Sequence, residues 1–174
     1  MKMFATSVLI AGASLMTASA VSAQSINDAQ IASIVVTANQ VDIDAGKLAE
    51  TKGSKADVKA FGKQMVTDHT GVNKQATALV TKLKVTPEDN ATSKSLKSGG
   101  EDNLKNLRTL KGAAFDKAYV DHEVAYHQAV LDAVDKTLIP NAKNEELKAL
   151  LVKVRPAFVA HLEHAKHLQS TLGK

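Results

Sequence analysis

Three of the six histidines in this chain, His69, His127 and His161, and the carboxylate Asp42 each interrupt an apolar stripe at helical spacing. The stripe 31, 35, 38, 42, 45, 49 reads Ile31, Val35, Ala38, Asp42, Ala45, Ala49. A second holds Val58, Phe61, Met65, Val72 and Ala76 around His69, a third Val120, Val124, Leu131 and Val134 around His127. The fourth sets Val154, Phe158, Ala165 and Leu168 around His161. Positions three and four apart share one helix face, so each polar residue is expected to point inward. Each also lies near the middle of its stretch, and antiparallel rods of similar length bring their midpoints to one level. Three imidazoles and a carboxylate at one level form a full ligand set for one transition-metal ion, Zn, Fe, Mn or Cu. The alternative is a closed network in which Asp42 accepts hydrogen bonds from imidazole N–H groups. A buried polar group left unsatisfied costs about 1–3 kcal/mol, so the four are expected to satisfy one another, trap water or bind something.

The neighbours add to this set. Glu123 precedes His127 by four residues and lies one turn away on nearly the same face, as a further ligand or as an orienting partner. Asn73, four after His69, is placed to hydrogen-bond into the layer. Asp68 and His122 are expected at the surface. His164 is a candidate outer partner, whereas His167 falls on the exposed face. Tyr119 and Tyr126 read as packing residues whose hydroxyls reach water.

The elements that must position these groups are four amphipathic stretches, about 27–51, 55–84, 113–138 and 144–172. Ser25 or Asn27 can cap the first; Gly53-Ser54 breaks it, and Ser54 or Asp57 opens the second. Pro87 ends the second, Pro140 closes the third, and Pro156 is expected to bend the fourth. Four such rods make an all-α four-helix bundle, each rod about 40 Å long at 1.5 Å per residue. The short first and last connections demand antiparallel neighbours. The middle connection, over residues 85–112, is long enough to travel the length of the bundle, the ferritin-like crossover arrangement. A short helix across 96–110 is expected there, weakened at its start by Gly99-Gly100.

Composition narrows the function classes. The 174 residues suit one domain, and the absence of Cys excludes disulfide scaffolds, thiol catalysis and cysteine-ligated metals. The net charge of +4 is mild and interspersed, and Arg108 and Arg155 are the sole arginines, so a nucleic-acid partner is not expected. Lys2, the apolar run 3–16 and small residues through Ala23 read as a secretory signal peptide, cleaved after Ala23 or, as second choice, Ala20. The mature chain, 24–174, is then a single domain in the periplasm or secreted, with no transmembrane span. No nucleophile elbow, phosphate-cradling Gly loop or HExxH motif is present.

The order Asn39-x-x-Asp42-x-x-x-Gly46-Lys47-Leu48-Ala49, Val58-Lys59-x-Phe61-x-x-x-Met65-Val66-x-Asp68-His69, Phe115-Asp116-x-x-Tyr119 with His127, and Pro156-x-x-x-x-His161-Leu162 resembles the bacterial family called domain of unknown function 4142. The resemblance spans the mature chain and implies an exported, ferritin-like four-helix protein, of a kind often labelled an outer-membrane or membrane protein. It implies no activity. The di-iron ferritin pattern needs Glu-x-x-His pairs, and here Val66, Val124 and Phe158 stand three before the histidines. One ion or none is therefore the expectation. Two readings follow: a metal-binding protein using the His/Asp layer, or a structural bundle whose polar layer fixes register and whose outer faces meet a cell-envelope partner. An enzyme is the weaker third, because a mononuclear site with open positions can support oxygen or peroxide chemistry.

Overall fold

The computed structural model describes residues 26–172, and every regular element among them is helical. Five helices follow in order: α1 (Asp28–Lys52), α2 (Ala56–Leu83), α3 (Ala91–Thr109), α4 (Gly112–Ala133) and α5 (Glu145–Leu172). The expected targeting segment lies outside the described residues.

Local chemistry sets most of the boundaries. Asn27 caps α1 reciprocally: its Oδ1 accepts from Gln30 N–H at 2.8 Å, while the Gln30 side chain accepts from Asn27 N–H at 3.2 Å. Neither Ser54 nor Asp57 caps α2, whose start at Lys55 has no side-chain cap of its own chain segment. Asp116 of α4 instead fastens the two residues before it, accepting from the N–H groups of Ser54 (2.8 Å) and Lys55 (2.9 Å) and from Ser54 Oγ. α4 gives way to one wide turn over Val134–Leu138, in which Ile139 N–H reaches back five residues to the Val134 carbonyl. Pro140, which has no N–H to give, sits in the single helical turn that follows. α5 passes through Pro156 without breaking.

The connecting helix is longer than its polar sequence suggests. α3 begins at Ala91, capped by Asn90, whose Oδ1 accepts from Thr92 and Ser93 N–H at 3.0 and 3.1 Å, and it runs straight through Gly99-Gly100. Its buried residues, Ser93, Gly100 and Leu107, recur every seventh position, a stripe one residue wide. Gly100 is what lets it close on α1: a Cβ there would lie 2.7 Å from Val41 Cγ2. The glycine that costs helix propensity is thus required by packing.

Contacts along the helices fix their directions. α2 returns antiparallel to α1, with Gly46 and Gly62 so close that a Cβ on either would stand 2.7 Å from the other's carbonyl oxygen. α3 starts beside the first turn of α1 (Glu88 N–H to Ala29 O, 3.0 Å) and ends beside its last (Lys52 Nζ to Arg108 O, 2.6 Å). It therefore carries the chain the whole length of α1. α4 runs back from Asp116 at the start of α2, past Tyr126, whose hydroxyl donates to Ala38 O at 3.1 Å. Asp28 then receives the N–H groups of Lys143 and Asn144 at 2.8 and 3.0 Å, and α5 runs up again from there. One apolar cluster (Phe61, Met65, Leu107, Phe115, Tyr119, Ala165) fills one end of this helical bundle. Another (Ile31, Ile34, Val134, Leu138, Leu147, Leu151) fills the opposite end, and between them lies a layer of buried polar side chains. Among the described residues no helix is long and apolar enough to cross a membrane.

Candidate metal centre

α1, α2, α4 and α5 each deliver one residue of the expected layer. Asp42 and His69 are 2% exposed, His127 and His161 1%, and Glu123 is fully buried. Ring centroids stand 5.6 Å apart for His69 and His127, 5.1 Å for His69 and His161, and 5.4 Å for His127 and His161. One nitrogen from each of the three rings lies within 4.8 Å of the others, and a second group of the same tightness joins Asp42, Glu123 and His127. Bonds of about 2.1 Å to a tetrahedral ion place its nitrogens roughly 3.4 Å apart, so the rings need to close by at most about 1.4 Å.

The hydrogen bonds around the rings assign their protons. Asn39 donates its amide to Val35 O at 2.7 Å, which turns its Oδ1 toward His69 Nδ1, also at 2.7 Å. The Glu123 carbonyl can only accept, so His127 Nδ1, 3.1 Å away, carries a hydrogen. The Asp68 carboxylate receives His161 Nε2–H at 2.9 Å. Each imidazole thus spends its N–H on an outer acceptor. The nitrogens that remain, His69 Nε2, His127 Nε2 and His161 Nδ1, are buried lone pairs without a hydrogen-bond partner. Metal-ligating histidines are held in this way, the second nitrogen anchored to a carboxylate, amide or carbonyl.

The carboxyls are equally unpaired. Asp42 Oδ1 and both Glu123 oxygens have no hydrogen-bond partner, although His69 Nε2 comes within 3.5 Å of Asp42 Oδ2 and His127 Nδ1 within 3.4 Å of Glu123 Oε2. No lysine or arginine is among the buried residues described. Burial first, and the facing Glu123 carboxyl second, hold Asp42 well above its ordinary carboxylate range. Burial pushes the pKa of His69 well down, and the His127 and His161 rings push it further. His127 is lowered by burial, against the opposing pull of Glu123. Each of these shifts expresses one fact: two carboxyls and three imidazoles share a buried layer in which the described residues place no lysine or arginine.

Several neighbours differ from expectation. Asp68 is 40% exposed at its side chain but is the outer partner of His161, because α5 packs on the flank of α2 that Asp68 faces. Asn73 donates to Val36 O at 3.3 Å and stays out of the layer. His122 is half-buried and stacks on Tyr126 at 5.4 Å. His164 pairs with Gln64 Oε1 at 3.1 Å and the edge of Phe61, away from the centre, and His167 is exposed. Tyr119 does not reach water: its hydroxyl is buried without a partner, and burial, then Glu123 and Asp42, push its pKa well up. Asn39 and Asp68, which hold the outer nitrogens of His69 and His161, are the positions that the helical stripes alone overlook. Asn39, polar and three before Asp42 on the same face, carried a usable signal.

A helical bundle with a buried histidine–carboxylate layer is the class that fold and site define. Residues 13–168 match the family model described as Domain of unknown function (DUF4142), and the chain belongs to that family. Comparisons with curated proteins and with solved structures returned no match.

Proposed function

We propose that this protein is an exported, ferritin-like four-helix metal-binding protein that holds one transition-metal ion, Zn, Fe, Mn or Cu, on His69, His127 and His161. Asp42 and Glu123 supply the compensating negative charge and further oxygen ligands. The observation that carries this reading is the trio of inward imidazole lone pairs, each ring anchored on its outer nitrogen. A closed hydrogen-bond network would direct an imidazole N–H at Asp42, and the three N–H groups are spent elsewhere. In this reading α3 is the crossover that joins two antiparallel hairpins, α1–α2 and α4–α5. The mature chain begins at Gln24 and works in the periplasm or outside the cell, where association with the outer membrane or an envelope protein is open to it.

Elemental analysis of natively exported, untagged protein tests the reading. One equivalent of a transition metal per chain, lost on chelation and absent from His127→Leu, is expected. Folded wild-type protein that neither carries nor takes up such an ion overturns it. N-terminal sequencing of the same material is expected to start at Gln24.

A further inference from the structure

Apolar clusters cover the histidine layer from both ends of the bundle, around Phe61 and Phe115 at one and around Ile31 and Leu151 at the other. The groups that hold the three outer ring nitrogens differ in their access to solvent. Asn39, on His69, is 2% exposed, and the carbonyl on His127 belongs to the fully buried Glu123. The Asp68 side chain, on His161, is 40% exposed. Its carboxylate accepts from His161 Nε2 at 2.9 Å, and Nδ1, on the other edge of the same ring, is one of the layer's buried lone pairs. At this point one imidazole ring separates a solvent-exposed carboxylate from the candidate metal centre.

Asp68 and His161 line one end of an open groove of about 380 Å³ between α2 and α5. The two helices are antiparallel here: Asp68 meets His161, and two turns further along α2 Gln75 Oε1 accepts from Lys153 Nζ at 2.8 Å. Between these two bonds the walls are Gly71 and Ala157. A Cβ built on Gly71 would meet nothing within 4 Å, whereas one on Gly46, Gly62 or Gly100 would collide at 2.7 Å. Glycine in a helix interior is less stable than alanine, and at Gly71 no close packing requires it. Its effect is to leave the approach to Asp68 unfilled. Lys153, the basic residue of the groove, is tied to Gln75 and lies about 12 Å from His161 along α5 at 1.5 Å per residue.

We propose that this groove is the entry route to the metal centre: Asp68 is the carboxylate that first captures a hydrated divalent cation, and His161 is the residue that passes it inward. The proposal rests on the metal reading and adds to it the path and the residues that set the rate. An exposed carboxylate attracts a dication from solution and offers it an oxygen in place of a water. Capture on Asp68 breaks the Asp68–His161 hydrogen bond, and the freed ring turns its Nδ1 lone pair to the ion. On turning back, His161 brings the ion to the lone pairs of His69 and His127 and restores its bond to Asp68. No proton moves in this exchange, because Nε2 keeps its hydrogen throughout.

The test is stopped-flow uptake of Zn²⁺ by the chelated mature full chain, read with a zinc-responsive dye, with release measured against excess chelator. Gly71→Leu and Ala157→Trp, which fill the groove from its two walls, are expected to slow uptake and release together by about tenfold or more. Their Kd should stay within about twofold of wild type, since a path changes rates and not its end states. Asp68→Asn keeps an oxygen for His161 Nε2–H but loses the charge. Its uptake is expected to be about fivefold slower and to lose most of its dependence on ionic strength, which a purely orienting role would not alter. Thr92→Trp, an exposed change on α3, is the control and should keep wild-type rates. Wild-type rates in both groove variants, a Kd weakened in step with slower uptake, or equal slowing in Thr92→Trp overturns the entry route and leaves the metal centre standing. Wild-type protein that binds no Zn²⁺ at equilibrium also overturns it, and the metal reading falls as well if elemental analysis finds no other transition metal.

Discussion

Two carboxyl groups on α4, Asp116 and Glu123, lie seven residues apart on one face, and both are fully buried. Their surroundings are opposite. Asp116 accepts three hydrogen bonds from Ser54 and Lys55 and thereby fastens the turn that leads into α2. Glu123 accepts none at its side chain and faces Asp42, another carboxyl without a full set of partners. Burial of a charged group is tolerated when hydrogen bonds replace the lost water, and Asp116 satisfies that condition. Glu123 and Asp42 do not, and that deficit is what the proposed ion would compensate. Completion of hydrogen bonds separates the two acids more sharply than burial does.

The comparison can be broken first at Asp116. Asp116→Ala strips the start of α2 of its acceptor, and chemical denaturation is expected to register a loss of about 3 kcal/mol. Metal affinity of the folded fraction should not change; a variant as stable as wild type would remove the structural half of the contrast.

On the functional half, Asp68→Ala frees the outer nitrogen of His161. Loss of such an outer partner lowers metal affinity about 10- to 100-fold. Competition with a calibrated chelator reads this directly, and stability without metal should move much less.

A pH series on chelated protein sharpens the contrast further. His69 and His127 have pKa values held down in the fold, so their contribution is intact above the unfolded value of about 6.5. It is lost as pH falls below that value toward the lowered ones, by up to about 1.4 kcal/mol per histidine per pH unit. Asp42, held up in the fold, has the opposite slope, and two histidines outweigh one carboxyl. Denaturation midpoints are therefore expected to drop as pH falls from about 6.5 to 5, where both histidines reach full slope, and Asp42→Asn should steepen the drop. A flat profile in both proteins would place the layer in water.

The smallest effect is expected from Glu123→Gln. The amide that replaces one of two facing, unpartnered carboxyls can donate to Asp42, and the metal-free protein should gain about 1 kcal/mol. Metal affinity should fall at the same time. The opposed signs, set beside the single loss at Asp116, distinguish an acid kept for a ligand from one kept for the fold.

Much of this was legible in one dimension. Apolar residues at three- and four-residue spacing located α1, α2, α4 and α5 within a few residues, because an amphipathic helix writes its buried face into its period. The same period exposed Asp42, His69, His127 and His161 as polar interruptions, and a residue on a core-facing stripe has nowhere to go but inward. α3 was under-read, since its narrow stripe of Ser93, Gly100 and Leu107 contains one large apolar residue, and its Gly pair argues against a helix until Val41 is set beside it. What only the tertiary structure decided are the relations across helices. Asp116 holding the turn before α2, Asp68 meeting His161 and Asn39 turning His69 each join residues at least thirty apart in sequence, and their pairing depends on which flank of a helix its neighbour covers. Periodicity reports the face a residue occupies; the partner opposite that face is set by how the rods pack, which a single stripe does not encode.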